Sequence, residues 1–161
     1  MPDGGGRVGY GAVPLIAPHR PAPSVPRALF TLLAVAAGIA AANLYYAQPL
    51  AAAIADDLHA GVAEVGTAMT VTQVGYALGM ILLVPLGDGR ERRSVIVITA
   101  ASSVVALLLV ASAGSIATLS AASFLVGVGS SVVQMLIPYG VDLGRPEDRG
   151  RIVGSIMAGL L

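Results

Sequence analysis

Three stretches of this chain carry no charged side chain: Ala28 to Ala55, Val65 to Gly87 and Ser94 to Val141, which are 28, 23 and 48 residues long. A hydrocarbon core about 30 Å thick is crossed by about 20 apolar residues rising about 1.5 Å each, so each of the first two runs matches one crossing. As a single straight helix the third run would be about 72 Å long, more than twice the core, and it has to fold back. Its break is Ala113-Gly114-Ser115, where small side chains and a glycine let the backbone turn. Composition agrees, since 11% of residues are charged against about 25% in soluble domains. A water-soluble globule is the poorer reading.

The sequence predicts an all-α membrane protein with four complete transmembrane helices and the start of a fifth. The spans are placed at about 28–49, 66–86, 94–113 and 116–138, with an incomplete span at 152–161, so that the chain ends inside a helix. Residues 1–27 are expected to be a disordered tail, because residues 1–26 hold six of the ten prolines and five of the twenty glycines. Arginine sets the orientation. The tail has Arg7, Arg20 and Arg27, the second connection Arg90, Arg92 and Arg93, and the fourth Arg145, Arg149 and Arg151, while the first and third connections have none. Arg-rich short loops stay in the cytoplasm, which places the N-terminus there. The acidic connection Leu50 to Glu64, with Asp56, Asp57 and Glu64, then faces outward and is expected to turn tightly near Gly61. Arg27, the apolar run and Ala51-Ala52-Ala53 imitate a signal peptide, but the run is too long and further spans follow, so the helix is retained.

Several functions are excluded by what the chain lacks. There is no cysteine, hence no disulfide, thiol nucleophile or thiolate metal site. Nine Arg balance nine Asp or Glu, which leaves no basic excess for nucleic acid. Gly4-x-Gly6-x-x-Gly9 has the spacing of a dinucleotide fingerprint without the flanking strand and helix, and reads as a glycine-rich tail. His19 and His59 lie in connections, and no metal-ligand or Ser-His-Asp pattern forms. Ser130 and Ser131 have no histidine in any span to act as base. Neither an enzyme, a cofactor nor a metal is expected.

Polar residues inside the spans are the functional candidates, because side chains of this kind face other helices or a water-filled cavity. In the first span Asn43 and Tyr46 share one face and Tyr45 and Gln48 a nearly opposite one, so only one pair can face a central cavity. In the second, Thr70, Gln73, Tyr76 or Ala77, and Met80 form a stripe, and Gly75-x-x-x-Gly79 forms a close-contact patch on another side. In the fourth, Ser123, Gly127, Ser130 or Ser131, Gln134 and Pro138 align. The cavity candidates are Asn43, Tyr46, Gln48, Gln73, Tyr76 and Gln134, and the helix-packing candidates Gly75, Gly79 and Gly127. Interhelical hydrogen bonding explains the polar stripes equally well.

The connection Leu86-Gly87-Asp88-Gly89-Arg90-Glu91-Arg92-Arg93, an acidic residue followed after three positions by two basic ones, resembles the loop signature of the major facilitator superfamily of transporters. Asn43-Leu44-Tyr45-Tyr46-Ala47-Gln48-Pro49-Leu50 is similar to the opening helix of a bacterial branch of that family related to drug and small-solute exporters. Arg149-Gly150-Arg151-Ile152-Val153-Gly154 resembles the same branch. There are departures: Val84 and Gly89 stand where the family carries a glycine and a basic residue, and Glu91 replaces a later glycine. Ser123 lies near the position of an arginine that many proton-coupled members carry.

The resemblance implies that 28–161 is a truncated part of an N-terminal six-helix half. It implies transport of a small organic solute by alternating access, in a bacterial inner membrane, with the bilayer and the solute as partners and a monomeric complete protein. It implies a latch at Asp88, whose position at a helix C-terminus calls for positive partners; Arg92 and Arg93 are the candidates. This portion alone is expected to be inactive. Two readings compete: a small membrane protein that binds a partner through Gly75 and Gly79, and, ranked last, a dimeric four-helix multidrug carrier. The latter would need a Glu in the first span, which is absent.

Overall fold

The computed structural model describes residues 26–89 and 91–160, so the expected tail lies, apart from Pro26 and Arg27, outside the described residues. The described residues are helical, in the order α1 (Arg27–Ala42), α2 (Ala51–Asp57), α3 (Val62–Gly89), α4 (Arg92–Ala111), α5 (Ile116–Ser130), α6 (Val133–Leu143) and α7 (Arg149–Ala158), with a 3-10 turn at Pro146–Asp148 before α7. Among them, three stretches are long and apolar enough to cross a membrane: Val62–Gly87, Arg92–Ala111 and the combined Ile116–Leu143. The first expected span is shorter than predicted, with Ala28–Ala42 as its apolar helix.

That shortening has a cause in the sequence. Pro49 has no N–H to donate to the carbonyl four residues back, and its ring crowds that carbonyl. Upstream of it the ladder tightens: Leu44, Tyr45 and Gln48 donate to carbonyls three residues back, at 3.0, 3.0 and 3.1 Å. Residues 43–50 are therefore a string of tight turns. The fourth span also splits, between Ser130 and Val133, at Gly129-Ser130-Ser131, the kind of glycine–serine cluster at which helices kink. There Ser131 and Val132 donate to Val128 and Gly129 at 3.3 and 3.2 Å.

Turns fall where small or specialised residues permit them. At the end of α2, Ala60 donates to the Ala55 carbonyl at 2.9 Å and His59 to Asp56 at 3.2 Å, the paired bonds of a Schellman ending. The position that favours glycine is held by His59 at φ 53°, with its Nδ1 3.0 Å from the Asp56 carbonyl oxygen. Glu64 then reaches back to accept from the Gly61 N–H at 2.8 Å, closing the start of α3. The predicted break in the longest run is real: α4 ends at Ala111, and a reciprocal Ser115–Thr118 capping box starts α5.

Packing divides the helices into two groups. α3, α4 and α5 lie together, and α1 and α7 pack with α6 around Leu33, Ala37, Leu136, Ile152 and Ile156. The broken fourth span belongs to both. Lipid tails are as apolar as the helices, so contact between backbones, rather than expulsion from water, has to hold such a bundle. Glycine supplies that contact. A Cβ on Gly127 would stand 2.0 Å from the Thr72 carbonyl oxygen, one on Gly75 2.2 Å from that of Phe124, and one on Gly79 2.7 Å from that of Val128. α1 and α7 meet likewise, with Gly38 on Gly159.

Candidate functional site

α3 presents two faces of opposite character. Thr72, Gly75 and Gly79 are buried, the two glycines against α5, whereas Thr70, Gln73, Ala77 and Met80 are exposed and Tyr76 is half-buried. The hydroxyl of Thr70 donates to the Gly66 carbonyl of its own helix at 3.1 Å and so does not reach a neighbouring one. Tyr76 does reach one. Gln134, in the first turn of α6 after the break, donates from Nε2 to the Tyr76 hydroxyl oxygen at 2.6 Å. The bond uses one amide hydrogen and one phenol lone pair, so the Gln134 Oε1 acceptor and the Tyr76 O–H donor stay available side by side.

The tight turns of 43–50 sort the first-span candidates. In a 3-10 geometry positions i and i+3 eclipse, which keeps Asn43 with Tyr46 and Tyr45 with Gln48. Asn43 and Tyr46 are half-buried, while Tyr45 and Gln48 are exposed. The expected fourth-span stripe is divided by its break. Ser131 Oγ donates to the Val128 carbonyl at 2.7 Å, Gly127 lies against α3, and Ser130 is fully buried with no partner for its Oγ among the described residues.

The loop signature contributes one contact that sequence reasoning missed. The Arg92 guanidinium forms an ion pair with the Asp142 carboxylate at the far end of α6. The Asp88 backbone closes α3, but its side chain lies outside those described. Arg93 is exposed. A signal for Asp142 was present, because a 48-residue run that folds back on itself must return its two ends, Arg92-Arg93 and Asp142, to the same side.

Comparison with known proteins places these features. The sequence model described as Major Facilitator Superfamily matches residues 33–161. The chain is 42% identical over 134 residues to the "Uncharacterized transporter YgaY" of Escherichia coli O157:H7, covering 83% of this chain and 34% of that one. It is 31% identical over 143 residues to the "Probable transporter SCO4007" of Streptomyces coelicolor, covering 87% of this chain and 33% of the relative. No solved structure matches. The chain thus spans about a third of the length of these curated relatives. A match over residues 33–161, most of the chain, shows that this protein belongs to the Major Facilitator Superfamily.

Proposed function

We propose that this chain forms part of a secondary transporter that moves a small organic solute across a bacterial inner membrane, in the export direction, by alternating access. The observation that carries this reading is the Gln134–Tyr76 bond, which holds a neutral donor and acceptor on the open side of a glycine-packed helix pair. Such a placement gives a solute reversible contacts, each interhelical bond of this kind being worth about 0.6 kcal/mol. Asn43, Tyr46 and Gln73 extend the polar wall, and Gln48 contributes from the more exposed side. The N-terminus is cytoplasmic, and the α3–α4 loop with Asp88, Arg92 and Arg93 acts as a latch at that side. The competing reading in which Gly75 and Gly79 bind a partner loses its contact residues, since both already face α5.

The test is export of a panel of small solutes by the chain joined to the further helices of a relative such as YgaY. Tyr76→Phe and Gln134→Leu should each lower transport about three- to tenfold, the equivalent of one lost bond of about 0.6–1.4 kcal/mol, at unchanged membrane abundance. Transport by the joined protein that ignores both substitutions would overturn the assignment of the wall.

A further inference from the structure

We propose that the Tyr76–Gln134 pair selects neutral solutes that present an N–H and a C=O on the same edge, namely lactams and primary carboxamides; the inference rests on the reading of this wall as a solute site. Both side chains grow from backbone that is clamped behind them. A Cβ on Gly127 would stand 2.8 Å from the Tyr76 backbone nitrogen, and one on Gly79 2.8 Å from Ser131 Oγ, one turn before Gln134. The Gln134 backbone N–H is spent on the Ser131 carbonyl at 3.0 Å, which closes the first turn of α6. The pair is therefore preorganised, and a solute that meets it does not first have to order two loose side chains.

What the pair leaves over has a definite chemistry. With Gln134 donating to the phenol oxygen at 2.6 Å, the groups left to a solute are the phenol O–H and the amide Oε1. Turning the amide over exchanges the roles, since the phenol then donates to Oε1 and keeps its lone pair beside the amide N–H. In both arrangements one donor and one acceptor stand next to each other. A lactam or a primary carboxamide carries the complementary acceptor and donor on one edge. A lactone has acceptors alone, and an N-methylated lactam has lost its donor. An open-chain secondary amide is held trans, with N–H and C=O on opposite sides, and meets one of the two groups at a time. A carboxylate brings a charge, and the runs Val65 to Gly87 and Ser94 to Val141 hold no Arg or Lys to offset it. Met80, exposed one turn along α3 from Tyr76, gives ring methylenes an apolar and deformable bed.

The experiment is saturation-transfer NMR on the chain in lipid nanodiscs, with an equal mixture of δ-valerolactam, N-methyl-δ-valerolactam, δ-valerolactone and N-ethylacetamide, read against empty nanodiscs. The lactam should receive about three- to tenfold more saturation than each of the others, as expected for one hydrogen bond. Tyr76→Phe and Gln134→Leu should each erase that preference, whereas Ser112→Ala, at the far end of α4, should leave it intact. Because the ratios are read within one sample, they do not depend on how much of a variant folds. Equal saturation of the four solutes, none above empty nanodiscs, or a preference that survives both substitutions overturns the proposal. Export by the joined protein that depends on Tyr76 and Gln134 but treats lactam and lactone alike would remove this assignment and leave the transport reading standing.

Discussion

At the residue scale the decisive side chain is often the missing one. Gly127 has the Thr72 carbonyl where its Cβ would stand, whereas Gly66 on the same helix as Thr72 has nothing within 4 Å. Gly127→Ala is expected to destabilise the bundle by about 1–3 kcal/mol through overpacking. Gly66→Ala is expected to be neutral or stabilising by up to about 1 kcal/mol, from helix propensity alone. Reversible unfolding in mixed detergent measures both, and equal effects would refute the crossing. Ser130 gives the opposite case. Its buried Oγ has no partner among the described residues, so Ser130→Ala should raise stability by about 1 kcal/mol, the order of the desolvation cost it removes. A loss in the same assay would show that the hydroxyl is bonded.

At the element scale, what could be read in advance depended on whether the cause was local. The extents of α3 and α4 follow from charge-free runs bounded by Glu64, Asp88 and Arg93, and the α4–α5 turn from Ala113-Gly114-Ser115; all were legible. Gly75 and Gly79 could be picked out by spacing, but not the helix they would meet. The breaks at 43–50 and 131–132 were missed, although Pro49 and Gly129-Ser130-Ser131 are visible, because a proline loosens the turn before it and a glycine–serine cluster the turn it sits in, and hydrophobic run length registers neither. Gly38 against Gly159 was not legible, since helix spacing says nothing about which distant helix docks. The Arg92–Asp142 pair joins the N-terminal end of α4 to the C-terminal end of α6. The Asp142 side chain is 66% exposed, so a double-mutant cycle of Arg92→Gln and Asp142→Asn should give a coupling of only about 0.5–1 kcal/mol. Additive effects would show that the pair is ornamental to stability.

For the whole molecule, topology is the sharpest prediction. A reporter that works only in the periplasm should be active when fused after Gly61 and silent when fused after Arg90; the reverse would invert the orientation inferred from arginine. The two helix groups also differ in how far apart their contacts lie along the chain. α3, α4 and α5 are consecutive, so each meets its neighbour as soon as it enters the bilayer. α1 instead docks on α7, with Gly38 seated on Gly159. At about 5–20 residues per second, the ribosome needs about 6–24 s to bridge that gap. During synthesis α1 therefore stays unmatched until α6 and then α7 have emerged, and through that interval it is open to quality-control proteases and to wrong partners.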